Sequence, residues 1–123
     1  MLNITGQNFI AGQRSRSGDK FVVSYDATTD EALPYQFAQA TSEEVDQAAQ
    51  AATLAYPLFR QTTPEQRALF LETIADEIDA LADPFIAIVC QETALPEARI
   101  RGERGRTTGQ LRLFAQVLRR GDF

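Results

Sequence analysis

The sequence changes its hydrophobic period at Thr41, and this boundary constrains the possible folds more than any other feature. Upstream, residues 8–11 and 20–25 are rich in Phe, Ile, Val and Tyr, the aromatic and β-branched types that suit a pleated surface. Residues 12–19 between them carry Gly, Ser and Arg, so the two runs are predicted to pair as one hairpin around a turn. A third run, 33–40, alternates loosely. Pro34 offers no ladder donor and places the start of that run at a sheet edge. Downstream of Thr41, every apolar run follows helical spacing. The chain thus divides into a strand segment, 1–40, and a helical segment, 41–123, and is mostly α with an N-terminal β-hairpin.

Each helix start carries its own chemistry. Thr41 and Glu44 have the spacing of a capping box, and Glu43, Glu44 and Asp46 favour the positive end of the helix dipole. This helix is expected to run to about residue 55, before Pro57. Thr63-Pro64-Glu65-Gln66 repeats the device with proline at the first helical position, where its missing N–H costs nothing. Leu71, Ile74, Ala75, Ile78 and Leu81 then form one apolar stripe. Asp83-Pro84 predicts a third capped start, so close behind the second helix that the two must meet at a kink. A fourth helix follows Pro96, presents Thr107, Leu111, Phe114, Ala115 and Leu118 on one face, and closes at Gly121.

A 123-residue chain is long enough for one core. It contains no apolar run of the roughly 20 residues that a membrane helix needs, and its start lacks the pattern of a signal peptide. A cytoplasmic protein is therefore expected, with no membrane partner, and the sequon at Asn3-Ile-Thr5 carries no meaning without secretion. Residues 99–123 hold 7 basic and 2 acidic side chains, against 5 and 15 in residues 1–98. The arginines at 99, 101, 104 and 106 have no aromatic residues interleaved for base stacking. They are read as a solvated or subunit-facing helix surface, and no nucleic-acid partner is expected.

The catalytic inventory is thin. The chain has no histidine, which removes imidazole bases, Ser-His-Asp and Cys-His arrangements and His-containing metal sites. Cys90, the only cysteine, has apolar neighbours at helical spacing and no nearby cation or helix N-terminus in sequence to activate it. It is read as a buried structural thiol. Asp26, Thr28 and Asp30 begin like a calcium loop, but the sixth position is Glu31 and the twelfth is Phe37. Gly102, Gly105 and Gly109 fit neither phosphate-loop spacing and fall inside a helical pattern, where three glycines imply a close neighbour. Asp76, Glu77 and Asp79 flank the apolar stripe and read as a wet helix face. No catalytic, cofactor-binding or metal-binding residue is assigned.

Three consecutive segments nevertheless resemble the opening of an aldehyde dehydrogenase. In that family a Phe-Ile-x-Gly strand, an Asn-Pro-Ala-Thr-Gly-Glu-like turn and a strand leading through Ala-Thr into an Ala-rich helix follow one another; residues 9–12, 26–31 and 40–52 fill these slots. Asp30 departs from the usual turn glycine, although Asp tolerates turn conformations. Glu92-Thr-Ala-Leu-Pro96 stands where most members have Glu-Thr-Gly-Lys-Pro. Residues 97–121 look most like the branch that includes 2,5-dioxovalerate (α-ketoglutaric semialdehyde) dehydrogenases and NADP-dependent fatty-aldehyde dehydrogenases.

The resemblance implies an α/β family fold of which this chain is the N-terminal part of the NAD(P)-binding domain. It also implies oxidation of an aldehyde, such as 2,5-dioxopentanoate, to its acid by a full-length enzyme using NAD or NADP. The family's nucleophilic cysteine, oxyanion asparagine, general-base glutamate and nucleotide-binding strands lie beyond the matched region. The chain alone is therefore expected to bind no cofactor and to be inactive, and to self-associate or contact the remainder of a dehydrogenase. The alternative is a small helical interaction module that associates with a full-length dehydrogenase.

Overall fold

The structure is a computed structural model that describes residues 2–123. Its strands form two separate antiparallel pairs. Strand β1 (Asn8–Ile10) pairs with β2 (Gln13–Ser15), with Asn8 opposite Ser15 and Ile10 opposite Gln13. Ala11 and Gly12 make the connection at φ 51° and 75°, the left-handed pair that a tight two-residue hairpin requires. This corrects the expected pairing of 8–11 with 20–25. Gln13-Arg14-Ser15 carries no strand-forming side chains, and its backbone ladder alone makes it a strand.

The true partner of β3 (Phe21–Tyr25) is β4 (Ala32–Ala38). Phe21 stands opposite Ala38 and Tyr25 opposite Ala32, with an irregularity in register between Val23 and Tyr25. Their connection is an Asp-nucleated turn. Asp26 Oδ1 accepts from the backbone N–H groups of Thr28 (2.8 Å) and Thr29 (3.1 Å), and its carbonyl accepts from Asp30 N at 2.8 Å. Asp30 takes φ 60°, the left-handed conformation that Asp adopts more readily than most residues. Pro34 sits inside β4, which bonds to β3 on one side only in the strand ladder. Beyond that ladder, Ala38 N donates to Gly6 O at 2.7 Å. Gly6, at φ 67°, lies so near β4 that a Cβ would stand 1.8 Å from Gln36 O.

Helix α1 (Ser42–Phe59) opens on the predicted capping box. Glu44 N donates to Thr41 Oγ1 and Thr41 N to Glu44 Oε1, each at 3.1 Å. The helix continues past the expected end at residue 55 with Pro57 inside it. Residues 52–60 are all exposed, so water can serve the Thr53 carbonyl that Pro57 leaves without a helical donor. These strands and α1 form one compact unit, Asn3–Gln61; Thr62–Phe123 forms the other.

The second unit is three helices. The capping box of α2 (Pro64–Ala80) is made by Thr63 and Gln66, with Pro64 in the first turn. Ala82 at φ 53° provides the expected kink, and α3 (Ala82–Thr93) follows at once. Asp83 does not cap it, contrary to the sequence reading. The cap position falls on Leu81, which has helical dihedrals and makes no side-chain cap bond. A left-handed Ala94 ends α3, and α4 (Glu97–Arg120) runs to Gly121 at φ 66°.

The main packing of the unit is α2 on α4. Its core is Ala68 and Ala75 from α2, Ile86 from α3, and Ile100, Thr108 and Ala115 from α4. The seam on α4 keeps the expected Ala115, with Leu111 and Leu118 half-buried, but takes Thr108 where Thr107 was expected and leaves Phe114 exposed. Three alanines and a threonine in that core let the helix axes approach closely. Close approach selects the small side chains and leaves Phe114 outside.

Candidate interaction surface

The geometry of the helical unit lies in the contacts that hold it together and in the faces it leaves open. Helix α4 is tied to its neighbours by a ladder of arginines. Arg119 grips Glu65 through two bonds of 2.9 and 3.0 Å and also binds Glu72, with one contact at 2.7 Å. Arg112 joins Asp76 (2.8 Å) and Asp79 (2.9 Å), while Arg101 bridges Asp83 of α3 (2.8 Å) to Glu97 (2.6 Å). Arg104 adds a bond of 3.3 Å to the Ala82 carbonyl at the kink. Forked guanidinium contacts of this kind fix orientation as well as charge.

These contacts give partners to two faces read as solvated, although the side chains of Asp76 and Arg99 stay 72% and 63% exposed. Asp76 and Asp79 are ion-pair partners of α4, and the arginines at 101 and 104 face α2 and α3. Hydrogen bonds from Arg119 hold the Glu65 and Glu72 carboxyls below their usual range, and Arg101 does the same to Asp83. In return the carboxylates raise Arg101, Arg112 and Arg119 further above neutrality. Sequence spacing gave a signal for these pairs that a helix-by-helix reading missed: the acids recur along α2 as the bases do along α4, and α2 packs on α4.

Between the helices lies an apolar groove of about 300 Å³, lined by Ile78, Leu81, Phe85, Val89, Ile100 and Thr107, with Glu103 and Arg104 at its rim. Through Ile78 and Leu81 it continues into a second hollow beside Phe70, Thr73 and Ile74. Phe70 and Phe114 remain 53% and 55% exposed, so a broad apolar face is open to a partner.

Cys90 lies elsewhere in this unit. It is half-buried, not buried as expected, and lines a hollow with Ile86, Ala87, Leu95, Asp83, Glu97 and Arg101. The hollow's one cation, Arg101, is already engaged by two carboxylates. The two carboxylates of the hollow, Asp83 and Glu97, are both held by that guanidinium. Gly102, Gly105 and Gly109 all lie within α4, and a Cβ at any of them would meet nothing within 4 Å. Among the described residues, none is the close neighbour expected from these glycines. The arginines at 101, 104, 112 and 119 are instead engaged by carboxylates of the same unit. Among the described residues, no group of three or more His, Cys, Asp or Glu is placed to hold a metal ion, and no helix is long and apolar enough to cross a membrane.

Residues 13–122 match the aldehyde dehydrogenase family. The chain belongs to that family. It is 50% identical over 123 residues to the alpha-ketoglutaric semialdehyde dehydrogenase of Acinetobacter baylyi, covering 100% of this chain and 23% of that protein. It is 40% identical over 123 residues to alpha-ketoglutaric semialdehyde dehydrogenase 2 of Azospirillum brasilense, covering 99% and 23%. The chain thus spans about a quarter of the length of these curated relatives.

Solved dehydrogenase structures share the fold. A succinate-semialdehyde dehydrogenase from Burkholderia pseudomallei superposes with a TM-score of 0.81 at 26% identity, over 89% of this chain and 23% of that one. An NAD-dependent benzaldehyde dehydrogenase from Corynebacterium glutamicum does so with a TM-score of 0.83 at 17% identity, over 94% and 25%. The α/β family fold inferred from the sequence is thereby established, with this chain matching its N-terminal part.

Proposed function

We propose that this chain serves as the N-terminal part of an NAD(P)-dependent aldehyde dehydrogenase that oxidises 2,5-dioxopentanoate, the semialdehyde of α-ketoglutarate, to its acid, and that by itself it turns over nothing. The observation that carries this reading is the 50% identity to a semialdehyde dehydrogenase across the whole chain. The absence of histidine and the unactivated setting of Cys90 support inactivity. In this role the chain is scaffold: its open apolar groove and the glycine face of α4 are surfaces against which the rest of a dehydrogenase packs. A cytoplasmic location fits such an enzyme.

The test is reconstitution. The chain is produced alone and together with the portion of the Acinetobacter relative that it does not match, and aldehyde-dependent reduction of NAD+ and NADP+ is followed. The expected result is no turnover from the chain alone and turnover from the pair. Turnover by the isolated chain that Cys90→Ser abolishes would overturn the proposal. The open groove also favours a second reading, a module that docks onto an intact dehydrogenase. Co-purification with the full-length relative, with no activity gained from the complementary portion, would select it.

A further inference from the structure

The chain makes the same helix cap twice with different third residues, and the difference carries information. At α2, Thr63 N donates to Gln66 Oε1 at 2.8 Å and Gln66 N to Thr63 Oγ1 at 3.1 Å, all of it exposed. At α1, Glu44 makes the matching pair of bonds with Thr41. An amide is therefore sufficient for the cap, which needs one acceptor oxygen. Yet Glu44 is only 1% exposed, and a carboxylate is the costlier group to bury unless every lone pair finds a donor.

The second oxygen explains the choice. Glu44 Oε2 accepts a short hydrogen bond from the Ser15 hydroxyl on β2, and the Ser17 backbone also bonds to the carboxylate. The arginines flanking Ser15 do not supply the compensation. The Arg14 guanidinium lies over the Phe9 ring at 5.6 Å and that of Arg16 over Phe21 at 4.5 Å. The carboxylate is thus held on the strand side by neutral donors.

We propose that Glu44 is a two-sided latch, one oxygen closing the N-terminus of α1 and the other docking the β1–β2 hairpin onto that helix. Hairpin docking and helix capping are then separable. In Glu44→Gln the amide keeps an acceptor for Thr41 N but replaces the other oxygen with a donor. Ser15 can turn its hydroxyl to accept from that donor, whereas the Ser17 backbone N–H cannot reverse.

Hydrogen–deuterium exchange on the full chain reads the two sides independently. Glu44→Gln is expected to raise exchange at the amides of 8–17 by about tenfold or more, the scale of a lost bond to a charged group, with the first-turn amides of α1 within about twofold of the parent. Ser15→Ala, which removes one donor and leaves the cap untouched, should show the same selectivity with a smaller rise. If either variant leaves hairpin exchange unchanged, or if Ser15→Ala loosens hairpin and helix equally, the latch is wrong. Should Glu44→Gln fail to fold, the Ser15→Ala result decides alone.

Discussion

The two compact units of this chain are closed by different physics. Between Asn3 and Gln61, the ties are backbone ladders, one close approach at Gly6 and one buried carboxylate held by neutral donors. Between Thr62 and Phe123, they are a small-residue seam and forked arginine contacts on half-exposed surfaces. Backbone ladders depend on conformation and are indifferent to most side chains. A packed helical seam depends on volume, and exposed ion pairs depend on ionic conditions. The units should therefore respond to different perturbations.

Removing volume should separate them most. Ile86, at 2% exposed, is the more deeply buried of the two isoleucines in the helical core, so Ile86→Ala should cost about 2–5 kcal/mol. The loss should appear as faster hydrogen exchange across 64–120, with 21–38 near its parent rate. Equal loss in both would mean that they unfold as one and that the contrast is false. The converse change is Gly6→Ala, which puts a methyl into the Gln36 carbonyl at a positive φ and should cost about 1–3 kcal/mol. Exchange should rise around 32–38 and stay fixed in α4.

Cap removal compares the two units with matched chemistry. Thr63→Ala takes away the exposed cap of α2 and should cost about 1 kcal/mol, read as a shift in denaturant midpoint. Thr41→Ala should cost at least as much, because the Oγ1 it removes accepts from the N–H of Glu44, a residue buried against Ser15.

The smallest expected effect is electrostatic. Glu65, Glu72 and Asp83 are depressed by arginines and Glu44 by the Ser15 hydroxyl. A carboxyl depressed in the folded state contributes stability above its unfolded value, near 4.5 for Glu and 3.8 for Asp. That stability is lost as pH falls through the folded value. Both units should weaken in acid below those values. At neutral pH, however, 1 M salt should loosen only the helical unit, because screening acts on ion pairs and not on hydrogen bonds from neutral donors. Equal salt sensitivity of the two units, measured by exchange, would contradict the assignment.

How much was legible in the sequence depended on the range of the interaction. Thr41 with Glu44, Thr63 with Gln66, the stop at Gly121 and the kink before α3 were readable, because each involves residues within one helical turn. The pairing of β1 was not. Its partner, Gln13–Ser15, has no strand-forming side chains and becomes a strand through the backbone ladder that the left-handed Ala11-Gly12 turn brings together. On α4 the sequence placed Ala115 in the seam but took Thr107 for Thr108, since helical spacing alone cannot distinguish those two when a neighbouring helix sets the rotation.

The sequence alone determined the family and the local grammar: a strand-rich start, four helices, the capping boxes of the first two, and the lack of a histidine. Those properties follow from residue identity and from spacings of a few residues. The tertiary structure decided which strands pair, that Asp76 and Asp79 pair with Arg112, that Glu44 is buried against Ser15, and that the glycines of α4 face open space. Each of these depends on which surface another segment brings within about 3 Å, the reach of a hydrogen bond, and the spacing of residues along one helix or strand does not specify that surface.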